Sequence, residues 1–286
     1  MIDQNGEPIA LRGMSMYCWS NQGTRFYNPQ AIDHLARDWK CTVIRIAILP
    51  GAYATNAGGE IQKVKTVMDA CIANGIYAIV DWHAMEGAQN DLPSAENFFT
   101  TVAAAYGKTP NLMYEPWNEP VFEPWPVIKA YHEAVIAKIR ALDPDNIIIC
   151  GNRNWDQQCA EASRDPITSS SNIAYSIHFY AATHRADLRK VGDAALKNGV
   201  ALFATEYGTC AADGSGGIDR DETRRWWKWL KKNDISCANW SVAALPETSA
   251  AFRPDTTPIG PWTDSVLSPS GLFVRDYLLR EYQSGR

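Results

Sequence analysis

Short apolar runs recur about eight times along the chain, separated by longer segments with apolar residues at every third or fourth place. The runs are residues 10–14, 42–48, 76–82, 112–115, 146–150, 174–179, 201–206 and 237–241. Several are continuously apolar, the pattern of parallel strands covered on both faces. Between them, residues 60–74 carry Ile61, Val64, Val67, Met68, Cys71 and Ile72 on a stripe near period 3.6. Gly75 follows as the left-handed residue that ends such a helix. Residues 123–142 place Ile128, Tyr131, Val135, Ile139 and Leu142 at similar spacing. Asp219 is placed to cap another helix, with Glu222 as capping partner and Trp226, Trp229 and Leu230 as its buried face. A last helix is predicted over 271–281.

Eight strand–helix repeats with right-handed crossovers predict an α/β fold, a single (β/α)8 TIM barrel over residues 1–286. An open doubly wound sheet would carry a glycine-rich phosphate loop after its first strand, and Arg12-Gly-Met-Ser-Met-Tyr17 is not one. No linker, low-complexity tract or charge block divides the chain. A length of 286 residues fits one barrel, which commonly takes about 250.

Composition narrows the function. The net charge is -5 with no basic stretch, which excludes nucleic acid as an expected partner. No run reaches the roughly 18 apolar residues of a membrane span. The opening segment Met1-Ile-Asp-Gln-Asn-Gly-Glu7 turns polar at once, so no secretory leader is read there. The seven cysteines are scattered without CxxC or metal-like spacing, and their odd number leaves at least one without an intrachain partner. Eleven tryptophans and twelve tyrosines are plentiful; most are expected between helices and barrel, the remainder stacking on sugar rings.

In a barrel, catalytic side chains belong at the C-terminal ends of strands. Glu119 follows the fourth run in Tyr114-Glu-Pro-Trp-Asn-Glu-Pro120, and Glu206 closes the seventh in Ala201-Leu-Phe-Ala-Thr-Glu206. Two carboxylates at a barrel mouth suit glycosidic cleavage, one as general acid and one as nucleophile. A general acid must keep its proton near neutral pH, and the Trp and Pro residues around Glu119 offer the apolar setting this requires. Glu206 at the mouth is costly unless paired or used. Arg45, inside an apolar strand, is its natural partner and would keep it ionised.

His83 ends the third strand, and His178 and Tyr180 the sixth. Hydrogen bonding to sugar hydroxyls and to the glutamates is their expected role. A metal is not expected, since the two histidines lack HxH or HExxH spacing. Tyr180 is placed to support Glu206, and Asn118 to hold the sugar 2-hydroxyl. Trp240 is the expected floor for the reacting sugar, Trp155 the platform for the leaving-group sugar, and Trp19 and Tyr53 candidates for the far groove.

These residues carry a resemblance to glycoside hydrolase family 5, within it the compact endo-β-1,4-glucanases of bacteria and plant-parasitic nematodes. It extends over nearly the whole chain, through Leu11-Arg-Gly-Met-Ser15, Val43-Ile-Arg-Ile-Ala47, Val80-Asp-Trp-His83, Tyr114-Glu-Pro-Trp-Asn-Glu-Pro120, His178-Phe-Tyr-Ala-Ala-Thr-His184, Ala204-Thr-Glu-Tyr-Gly-Thr209 and Asn239-Trp-Ser241. The resemblance implies a retaining mechanism with Glu119 as acid/base and Glu206 as nucleophile, supported by Arg45, His83, Asn118, His178, Tyr180 and Trp240, with no cofactor. Its implied partner is a β-glucan polysaccharide, met outside the cell or in the periplasm, and the working unit is expected to be a monomer. One departure stands out: many such cellulases place a lysine after the strand-eight tryptophan, where this chain has Leu245. Glu247 aligns with the acidic residue that follows.

Three alternatives remain at this stage. A β-mannanase or xyloglucanase would use the same machinery, a non-catalytic barrel would bind glycan without cutting it, and a metal-dependent hydrolase would use His83 and His178.

Overall fold

A computed structural model describes residue 1 and residues 6–284; most of the opening segment read for a leader, residues 2–5, lies outside the described residues. Eight strands form the barrel: β1 (Arg12–Met16), β2 (Val43–Ile48), β3 (Tyr77–Trp82), β4 (Leu112–Glu115), β5 (Ile148–Cys150), β6 (Ile173–Ser176), β7 (Ala201–Gly208) and β8 (Ser236–Val242). Each pairs in parallel with its neighbours, and β6 pairs with β7 to close the ring. A two-residue extension of the β6 line, Phe179–Tyr180, pairs with the end of β7.

Strand alternation sorts the barrel into layers. Along β2, Ile44, Ile46 and Ile48 join the outer core beneath the helices, while Val43 belongs to the separate inner one. The inner floor is apolar: Leu11, Val43, Ile79, Met113, Ile149, Ala174 and Phe203. Two residues further along these strands the same face becomes polar, with Arg45, Asp81, Glu115, Ser176 and Thr205, all fully buried. The register sets Ser15 beside Arg45 and Asp81 beside Glu115. Above lie Ala47, Tyr180 and Trp240, at the mouth.

Seven long helices flank the ring among the described residues: α1 (Pro29–Arg37), α2 (Ala57–Ala73), α3 (Leu92–Tyr106), α4 (Trp125–Arg140), α5 (Ala186–Lys197), α6 (Arg220–Lys232) and α7 (Pro269–Gln283). Gly75 follows α2 with φ +66, as its position predicts. Asp219 caps α6 by accepting from the Glu222 backbone N–H at 2.9 Å. The reciprocal half of the expected box is absent, because arginines claim the Glu222 carboxylate: Arg189 at 2.6 Å and Arg225 at 2.8 Å. Ile72 and Leu142, the last residues of the two expected stripes, are exposed; Leu142 lies two residues past the end of α4.

No long helix follows β5. The chain makes a left-handed turn at Asn154, Trp155 and Asp156, with φ of 59, 54 and 59. Left-handed backbone costs roughly 1–2 kcal/mol per non-glycine residue. Bonds to neighbouring structure offset this: Asn154 N–H donates to Val121 O, Trp155 N–H to Pro120 O, and Asp156 Oδ1 accepts from Asn152 N–H.

All seven cysteines are free and buried, so none is disulfide-bonded. Of the eleven tryptophans, only Trp19 and Trp155 are exposed, so packing accounts for nearly all the rest.

Candidate active site

Arg45 organises the mouth from an inward position on β2. Its Nε donates to Glu115 Oε2 at 2.6 Å and its Nη1 to Glu206 Oε2 at 2.9 Å. Nη2 donates to Asn118 Oδ1 at 2.5 Å and lies 3.0 Å from Asp81 Oδ2. Burial opposes charge on the guanidinium, but Asp81, Glu115 and Glu206 together outweigh it and raise the pKa well above the ordinary value. The predicted pairing with Glu206 is therefore present, within a larger set of anions.

Glu206 is gripped from both sides, since Tyr180 donates its hydroxyl to Oε1 at 2.7 Å. Burial pushes this carboxyl up, yet the positive charges of His178, Arg45 and His83 and the Tyr180 hydroxyl hold it below the usual carboxylate range. Gly208 makes room for the Tyr180 ring: a Cβ there would stand 2.1 Å from a ring carbon.

Glu119 bonds His178, with Oε1 2.8 Å from Nδ1. The other nitrogen, Nε2, lies 2.8 Å from Thr205 Oγ1, whose hydroxyl donates to Glu115 Oε1 at 2.6 Å. Burial raises and Arg45 and His178 lower the Glu115 carboxyl, leaving it at about 2, ionised and acceptor-only. Thr205 spends its proton there, so Nε2 must donate to Thr205. The Nδ1–Oε1 contact then holds one proton between His178 and Glu119. Burial works against charge on His178, but Asp156, Glu115 and Glu119 outweigh it and raise its pKa well above the usual imidazole range.

His83 bonds Asp81 through Nδ1 at 2.7 Å and stacks on Trp240, with ring centroids 5.1 Å apart and planes 2° from parallel. Trp155 lines the cavity that holds Glu119, Glu206, His178 and Tyr180, together with Met85, Gln157, His184, Ala212 and Asp213. Trp19 sits 53% exposed over a neighbouring groove with Pro50, Ala52, His83 and Met85, its ring edge-on to His83.

Tyr53 is a correction. Its ring packs edge-on against Trp82 and Phe98, its hydroxyl accepts from Asn97 Nδ2, and it is buried. It backs Trp82 in the core and presents no ring to the groove. Glu247 sits apart from the two-glutamate cavity, half-buried beside Gly214 and bonded to the Ser249 hydroxyl. It lines a separate groove with Leu245 and Phe252. Asn118, buried, spends its amide oxygen on Arg45 and donates through Nδ2 to Met85 Sδ at 3.6 Å.

The sequence reading missed Asp81, Glu115, Asp156 and Thr205. Asp81 and Glu115 had a signal, being charged residues inside apolar strands as Arg45 is. Asp156, 3.3 Å from His178 Nε2, had none, since the left-handed turn that delivers it has no periodicity.

One atom each from Glu119, His178 and Glu206 lie within 4.8 Å of one another, as do atoms of Glu115, Asp156 and His178. Among them Glu206 is held by Arg45 and Tyr180, Glu115 by Arg45 and Thr205, and His178 by Glu119 and Thr205, an arrangement that suits acid–base work. His83 and His178 fall in no common group among the described residues.

Fold and site together define a (β/α)8 barrel carrying two carboxylates across one cavity at the C-terminal ends of its strands. The profile of the cellulase family, glycosyl hydrolase family 5, matches residues 2–245. Endoglucanase Z of Dickeya dadantii is 42% identical over 270 residues, covering 87% of this chain and 63% of the relative. A solved structure from Cytophaga hutchinsonii superposes with a TM-score of 0.96 at 44% identity, covering 99% of this chain and 93% of that one. A variant of the catalytic domain of Thermobifida fusca endoglucanase Cel5A, in complex with cellotetraose, gives 0.91 at 33% identity, covering 97% and 94%. The chain belongs to glycosyl hydrolase family 5. It spans 63%, 56% and 62% of the length of three curated endoglucanases that it matches.

Proposed function

We propose that this protein is a retaining endo-β-1,4-glucanase that cleaves internal bonds of cellulose or mixed-linkage β-glucan. One observation carries the reading: a Glu119 oxygen and a Glu206 oxygen stand within 4.8 Å of each other. Retaining enzymes hold their two carboxyl groups about 5–5.5 Å apart, whereas inverting enzymes leave room for water at about 6.5–9.5 Å. In the first step a Glu206 oxygen bonds to the anomeric carbon as the bond to the leaving oxygen breaks. Glu119 donates a proton to that oxygen. In the second step water replaces Glu206, with Glu119 taking its proton. The negative charge lost at Glu206 on ester formation reappears at Glu119, so the buried cluster keeps its net charge throughout.

The names of the relatives, endoglucanases, and the cellotetraose complex support β-glucan as substrate. A polymeric glucan does not enter a cell, which places the working enzyme outside it or in the periplasm. One chain holds every group used above, so the monomer suffices.

The test is reducing-sugar release from carboxymethyl-cellulose, β-glucan, mannan and xyloglucan by the parent and by Glu206→Gln. Release is expected from the first two and should fall about 10³-fold or more in the variant, with circular dichroism unchanged. Full activity in the variant would sink the assignment of the nucleophile. Release confined to mannan or xyloglucan would keep the chemistry and overturn the substrate.

A further inference from the structure

Phe122 is 74% exposed, the most exposed large apolar side chain among the described residues. A single exposed apolar residue is ordinary on a protein surface. The support beneath this one is not. Glu123, nearly buried, turns its carboxylate back onto the loop: Oε1 accepts from Gly87 N–H at 2.6 Å, and Oε2 from the N–H groups of Val121 and Phe122 at 3.2 Å each. The left-handed turn adds two more ties, from Asn154 N–H to Val121 O and from Trp155 N–H to Pro120 O. Phe122 is therefore held out into water on a backbone fixed at several points. Its ring lies 6.4 Å from that of Trp155, at 68° between planes. Trp155 in turn lines the cavity of the two glutamates, and Phe122 lies outside it.

Resting on the glycosidase reading above, we propose that Phe122 is a specificity-determining residue, contacting a sugar unit of the leaving-group chain beyond the one over Trp155. The occupant follows from continuity: a glucan crossing Trp155 on its way out of the cavity meets the corner formed by the two rings. A ring carried on a fixed backbone leaves less loop freedom to be lost when a sugar settles on it. Such a contact acts on long chains and is out of reach of short ones.

The test compares the parent, Phe122→Ala and Phe122→Tyr on cellohexaose and on an aryl β-cellobioside, whose leaving group is the aryl alone. Phe122→Ala is expected to lower kcat/KM on cellohexaose by about three- to tenfold, mainly through KM, and to leave the aryl substrate unchanged. Phe122→Tyr should restore the parent value. Equal rates for parent and Phe122→Ala on cellohexaose would overturn the inference and leave the glycosidase reading intact. An equal loss on both substrates would also overturn it, marking Phe122 as a prop for its loop. A parent inactive on both would sink the glycosidase reading and this inference with it.

Discussion

At the scale of the residue, one buried arginine answers several carboxylates. Breaking a buried ion pair by removing one partner is far more costly than the pair's net worth. The acid limb of stability follows from Glu115. Its folded value, about 2, lies below the unfolded value of about 4.3. Its contribution is thus complete above the unfolded value and is lost as pH falls from there through the folded one. Asp81 runs the other way: burial pushes it up to about 6 against the pull of Arg45, so keeping it ionised costs stability as pH rises through that value. Urea midpoints are expected to fall steeply between pH 4.3 and pH 2, approximately, and Glu115→Gln should flatten that fall. The same acid slope in both proteins would remove Glu115 as its source. Glu119 and Glu206 were legible in the sequence because each follows an apolar run. Tyr53 misled because its loop position near the mouth says nothing about which way the ring turns.

At the scale of the element, helices with a full apolar stripe were legible and irregular segments were not. The centre of the α2 stripe, Val64, Val67, Met68 and Cys71, is buried, and Asp219 caps α6. The segment between β5 and β6 has no period, because its backbone is held by bonds to the loop after β4. Its conformation is written in partners distant in sequence. Asp219→Ala should destabilise the protein by about 1 kcal/mol through the lost cap, read as a shift in the urea midpoint. Arg185 also touches this carboxylate, at 2.6 Å, so Asp219→Asn, which keeps a capping oxygen, should recover most of the loss. If both variants lose the same amount, the arginine contact is the source.

At the scale of the whole molecule, the eightfold alternation with continuously apolar runs narrowed the fold to a parallel sheet covered on both faces, and the lack of a glycine-rich loop after β1 chose the barrel over the open sheet. What it could not give was the inner layering, because an apolar run does not declare which alternate residues face inward. The closed fold leaves its seven thiols free and buried, and burial pushes Cys210 and Cys159 up to about 12. Native protein should therefore react negligibly with a thiol-specific disulfide reagent, and denatured protein should release seven equivalents. Rapid labelling of the native form would show that the fold opens in solution. No helix among the described residues is long and apolar enough to cross a membrane.

The left-handed turn after β5 binds two jobs to one hinge. Trp155 faces the cavity while its neighbour Asp156 reaches under His178. Anyone redesigning the groove to accept a different glycan would naturally begin at Trp155. A replacement that relaxes the turn would also shift the carboxylate that props the histidine serving Glu119. Substrate range and proton delivery are thus mechanically geared here, and libraries built at position 155 should be screened for pH profile as well as for the new sugar.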